Sequence, residues 1–78
     1  MRRDEQLAKL EESIKGYENV IRNFEYARER LQQRRRGAID SVMVEIDRSL
    51  ELNQRTIDSM SRILATAREQ LERAQSRR

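Results

Sequence analysis

Two groups of arginines are spaced to grip an anion: Arg34, Arg35 and Arg36 stand in a row, and Arg48, Arg55 and Arg62 recur every seven residues. A guanidinium presents a planar fork of donors that matches the oxygens of a phosphate or carboxylate. The row could hold one such group, and the seven-residue stripe, on one helix face, could track the phosphates of a nucleic acid. Each group also has a plainer role. Arginines at the end of a helix complement its dipole. The stripe is laced with carboxylates, Glu51 standing four residues before Arg55 and Asp58 four before Arg62; Glu5–Lys9, Glu11–Lys15 and Glu18–Arg22 repeat the device. Acid-before-base pairs at this spacing stabilise a helix by about 0.2–0.5 kcal/mol each. A phosphate-tracking face is not usually interleaved with acid, so the solvated-face reading is preferred and nucleic-acid binding is the alternative.

The chain offers little other chemistry. It has no histidine and no cysteine, so the commonest general base and the nucleophilic dyads are missing. His/Cys metal motifs are impossible, and no EF-hand-type acidic loop is present. Two helices do not enclose a substrate-sized pocket. The expectation is a protein that is not an enzyme and takes no cofactor, metal or small-molecule substrate. No apolar run approaches the roughly 18 residues of a membrane span. The opening MRRDEQLAKLEES has no apolar core of the signal-peptide kind. A cytoplasmic protein is the expectation.

The elements that would carry these side chains are written in the apolar pattern. Charged residues make up 40% of the chain, and proline is absent; with scattered apolar residues that would read as disorder. The apolar residues instead follow a heptad. Leu7, Ile14, Ile21 and Arg28 occupy position a, with Leu10, Tyr17, Phe24 and Leu31 at d. A second series begins one residue out of phase. It has Met43, Leu50, Ile57, Leu64 and Leu71 at a, and Ile39, Ile46, Asn53, Met60, Ala67 and Ala74 at d. Such patterning predicts coiled-coil-like helices.

The phase slip falls at Gly37, which predicts an antiparallel hairpin: helix 1 at about 3–35, a turn at about 36–39 and helix 2 at about 40–76, all one domain. The alternative is one continuous rod. The end charges are written twice, Asp4 and Glu5 before Arg34–Arg36, then Asp40 before Arg73, Arg77 and Arg78, as two separate dipoles require. Gly37 suits a left-handed C′ position, with Asp40 or Ser41 capping the next helix. Asp40 would also neutralise part of the arginine row. Folding about Gly37 pairs Leu31 with Met43, Arg28 with Ile46, Phe24 with Leu50 and Ile21 with Asn53. It then pairs Tyr17 with Ile57, Ile14 with Met60, Leu10 with Leu64, and Leu7 with Ala67. Arg28 and Asn53 read as polar register elements within the core, Arg28 reaching for Glu45 or Asp47.

The two edges of such a hairpin differ. The e edge of helix 1 is acidic (Asp4, Glu11, Glu18, Glu25), and Arg68 of helix 2 can meet Asp4 or Glu11. The g edge carries Ser13, Val20 and Ala27 on helix 1 and Val42, Ser49, Thr56 and Ile63 on helix 2, with Gly16, Leu52, Ser59 and Thr66 alongside. An a/d/g face is wider than a two-stranded seam needs. It predicts a non-enzymatic protein–protein interaction or assembly module of adaptor, chaperone-like or regulatory type. The partner interface would be Ser13, Val20, Ala27, Val42, Ser49, Leu52, Thr56 and Ile63. The occupant would be a second copy, giving a four-helix bundle, or another protein's amphipathic helix.

Overall fold

The computed structural model describes residues 2–76, which form α1 (Arg2–Arg35) and α2 (Asp40–Ser76). Arg77 and Arg78, read above as part of the basic end of the second helix, lie outside the described residues. Each helix starts with acid and ends with base: Asp4 and Glu5 against Arg34 and Arg35, then Asp40 against Arg73.

The helices pack side by side in opposite directions. Arg3, near the start of α1, donates to the carbonyl of Ala74, near the end of α2, at 2.8 Å. Arg35, at the other end of α1, reaches Asp47 in the second turn of α2. The particle measures 58 × 14 × 14 Å, the length of one helix; a continuous 78-residue rod would run to about 115 Å. The chain is a helical hairpin.

The turn works differently from the left-handed glycine cap expected at Gly37. No residue among those described has positive φ. The end of α1 instead tightens: Arg36 N–H donates to the Gln33 carbonyl at 3.3 Å, and Ala38 N–H to the Arg35 carbonyl at 3.2 Å. These bonds satisfy carbonyls that the helix end leaves open. The next helix is capped by a residue with no side-chain acceptor. The Ile39 carbonyl accepts from Val42 N–H at 3.0 Å and Met43 N–H at 2.9 Å, so Ile39 is the half-in residue and Asp40 is already in the first turn. Ile39 consequently leaves the d seam and is 71% exposed.

Between the helices lies a narrow seam. Leu7 and Ile14 of α1 and Ile46, Asn53, Ile57, Leu64 and Ala67 of α2 are buried. Leu10, Tyr17, Ile21, Phe24, Leu31, Met43, Leu50, Met60, Leu71 and Arg28 are half-buried around them. Ile14, Leu64 and Ala67 form the central cluster, with Leu10, Tyr17, Ile21 and Leu71 packed against it. No side chain among the described residues is fully buried.

The seam is that of the heptads, but its register is displaced from the pairing about Gly37. Ile14 meets Leu64 and Ala67, not Met60. Asn53 meets Phe24, not Ile21, and Arg28 meets Gln54, not Ile46, Glu45 or Asp47. Partners lie roughly one to two helical turns further on. A heptad repeat matches itself after every seven residues, so the sequence pattern leaves such a slide open.

A candidate helix-docking face

Among the described residues, one edge of the hairpin is crossed by polar contacts and the other is not. On the e edge Arg35 Nε donates to Asp47 Oδ1 at 2.6 Å, with Nη2 to Oδ2 at 3.3 Å. Arg28 Nη1 donates to Gln54 Oε1 at 2.7 Å, and Gln54 Nε2 donates onward to Asp58 Oδ1 at 3.0 Å. Arg68 lies 3.6 Å from Glu18, not against Asp4 or Glu11. Asp47 and Gln54 are seven residues apart and Arg68 stands fourteen beyond Gln54, so one stripe of α2 supplies its side of this ladder. Beside it runs an open groove of about 700 Å³ between Glu18, Arg28, Leu64 and Arg68.

Asp47, not Asp40, pairs with the arginine row. The hydrogen bond from Arg35 holds the Asp47 carboxyl below the usual carboxylate range; desolvation opposes this and the charge attraction adds to it. The same contact raises the Arg35 guanidinium pKa. Both side chains are about half exposed, so the pair orients the turn more than it stabilises it.

The opposite edge is built from two uncharged stripes. On α2 the run is Ser49, Leu52, Thr56, Ser59, Ile63, Thr66 and Gln70, at alternating spacings of three and four. On α1 it is Ser13, Gly16, Val20, Asn23 and Ala27. Such spacing keeps every member on one helix face. Val20, Leu52 and Ile63 are exposed, as are Ser13, Ala27 and Ser49, whereas Val42 and Thr56 are half-buried. Thr56 and Thr66 turn their hydroxyls back onto the Leu52 and Arg62 carbonyls, at 3.0 and 3.1 Å, which quiets their polarity. Between the helices here lies an open groove of about 410 Å³, floored by Leu10, Tyr17 and Ala67 and walled by Ser13, Ile63 and Thr66. Beyond Gly16 a Cβ would meet nothing within 4 Å, so the hairpin itself does not need that glycine.

The cationic residues split between two places. Arg34, Arg35 and Arg36 sit at the turn end and are exposed. Arg48, Arg55 and Arg62 run along the outer side of α2. Arg55 pairs with Glu51 at 2.7 Å. Arg62 does not pair with Asp58; its Nη2 lies 3.5 Å from Ser59 Oγ, at the rim of the 410 Å³ groove. The Glu5–Lys9, Glu11–Lys15 and Glu18–Arg22 pairs are likewise not closed, Glu18 being the partner of Arg68. Among the described residues no group of three or more His, Cys, Asp or Glu is placed to hold a metal, and no helix is long and apolar enough to cross a membrane.

Sequence reading missed the role of Gln54. Its e position, seven residues from Asp47 and fourteen from Arg68, was the available signal. Comparison with protein-family models, curated proteins and solved structures returned no match to this chain.

Proposed function

We propose that this chain is a non-enzymatic interaction and assembly module that works by packing a helix, or a helix pair, against its uncharged edge. The supporting observation is the contrast between the edges: polar contacts bridge one, while Val20, Leu52 and Ile63 stand exposed on the other. In a chain that is 40% charged, residues 13–27 and 49–70 of this face carry no charge, the composition of a buried bundle face.

Magnitudes agree. A compact globular protein of this mass would expose about 5,000 Å²; the hairpin exposes 6542 Å². A 58 × 14 × 14 Å rod exposes more surface for its mass than a sphere does. Covering one side of a 58 Å rod removes area on the scale of a standard interface, about 800 Å² per partner. The preferred occupant is a second copy, completing a four-helix bundle, since a symmetric pair needs no second gene product.

Sedimentation equilibrium of the purified chain tests this. The expected result is a species of twice 9.4 kDa whose helical signal melts at a temperature that rises with concentration. A stable, fully helical monomer that recruits no helical partner would overturn the reading.

A further inference from the structure

Resting on the assembly reading above, we propose that the groove of about 410 Å³ on the uncharged edge is the anchor of that assembly, into which the second copy inserts an apolar side chain. A two-fold relation makes the contact reciprocal, so each copy gives one such side chain and receives one. The uncharged stripe 49–70 starts nine residues after Asp40, where α2 begins, and stops six before Ser76, where it ends. A second copy can therefore lay its stripe over the groove with its turn at either end of the rod.

The groove exists because three short side chains meet there. Ala67 fills a d position that Ile46 and Met60 occupy in earlier heptads. Ser13 of α1 and Thr66 of α2 flank it, and Thr66 has already given its hydroxyl to the Arg62 carbonyl. The floor is firm: Leu10 and Tyr17 pack on Ile14, Leu64 and Ala67, the central cluster of the seam. A hollow backed by packed side chains gives up little freedom when it is filled, and interface energy concentrates at such places, often beside an aromatic ring.

The larger groove on the e edge does not suit the same occupant. Six of its ten lining residues are charged, against Arg62 alone among eight here. An aliphatic side chain entering the larger groove would strip water from those charges. In the smaller one, Arg62 is exposed and stands at the rim, where its head can stay in water. The second copy has the matching chemistry to offer, since Val20, Leu52 and Ile63 of its own uncharged edge are exposed aliphatic side chains.

Two neutral double variants test the anchor. Ser13→Gln/Thr66→Gln narrows the groove from both walls, and Ala27→Gln/Ser49→Gln makes the same kind of change on the same edge outside it; all four sites are exposed. In sedimentation equilibrium the first pair should raise the dimer dissociation constant at least about tenfold with the helical signal kept, and the second pair by much less. Equal effects, or a larger one from the second pair, would overturn the anchor and leave the assembly reading intact. The chain also carries one tyrosine in each groove, Tyr17 here and Tyr26 in the charged one. As the dimer is diluted, the NMR ring signals of Tyr17 should shift while those of Tyr26 hold. A Tyr17 ring unmoved while the dimer dissociates would likewise overturn the anchor alone. A parent chain that stays a helical monomer and recruits no helical partner would overturn the assembly reading and the anchor with it.

Discussion

The side-chain amide of Asn53 donates a 2.9 Å hydrogen bond to the main-chain carbonyl of Phe24 on the facing helix, while its own oxygen is enclosed with no partner among the described residues. Half of the amide is therefore satisfied and half is not. A buried acceptor left without a donor costs about 1–3 kcal/mol. Asn53→Leu, close in volume, should stabilise the fold by about 1 kcal/mol in chemical denaturation, and Asn53→Ala should destabilise it. The leucine variant should also lose uniqueness of register, seen as broadened interhelix label distances. A leucine variant clearly less stable than the parent would show that the hydrogen bond outweighs the orphaned oxygen.

Gly37 has ordinary φ, and a Cβ there would meet nothing within 4 Å. Gly37→Ala should therefore be neutral or stabilising by about 0.4–1 kcal/mol, through the unfolded chain. A loss of more than 1 kcal/mol in the same denaturation experiment would mean that the turn uses a left-handed glycine after all.

These two residues mark where the sequence was legible and where it was not. Two helices and their folding back were readable, because a phase slip and a duplicated acid-to-base pattern are physical requirements of two separate helices. The slide of one helix along the other was not, since moving a heptad by one repeat restores the same apolar match. The choice among registers falls to single polar contacts such as Arg28–Gln54 and Arg35–Asp47, and long side chains reach several alternative partners. Capping by the Ile39 carbonyl was hidden because it uses main-chain atoms that every residue has. The contrast between the two edges was visible in the e and g positions, down to Arg68, whose partner proved to be Glu18.

Gly16 lies on the uncharged face of α1 with open space where a Cβ would go. Gly16→Ala should raise helix stability by about 1 kcal/mol. Sedimentation of the variant adds a second readout: unchanged association means that the docked helix does not approach the backbone there, and weakened association means that it does.

Val20 and Ile63 are the exposed apolar residues nearest mid-height on the two stripes. The double change Val20→Glu/Ile63→Glu should dissociate the assembly by sedimentation while the a/d seam is left untouched. Retention of the parent oligomer would place the interface on another face. By contrast, Leu64→Ala cuts into the central cluster and should cost about 2–4 kcal/mol, enough to lower helicity by circular dichroism.

Asp47 gives a pH signature with a defined sign. Its folded pKa is depressed by Arg35 below the ordinary aspartate value of 3.8. Its contribution is thus fully present above that value and is lost as pH falls through the lower folded pKa. A carboxyl carbon titration by NMR should place Asp47 below 3.8, and Arg35→Gln should raise its midpoint. Equal midpoints in parent and variant would show that the ion pair does not form in solution.

If the uncharged edge docks a second copy, the unequal edges would also limit how far these rods accumulate. A particle adhesive on both long sides would stack without end into sheets or fibres. Here one side is already spoken for by the Arg28–Gln54, Arg35–Asp47 and Arg68–Glu18 ladder. A mate that covers the remaining side would leave a third copy only the edge already crossed by polar contacts. Growth would end at the first union, and an excess of chain would raise the number of finished units, not their size.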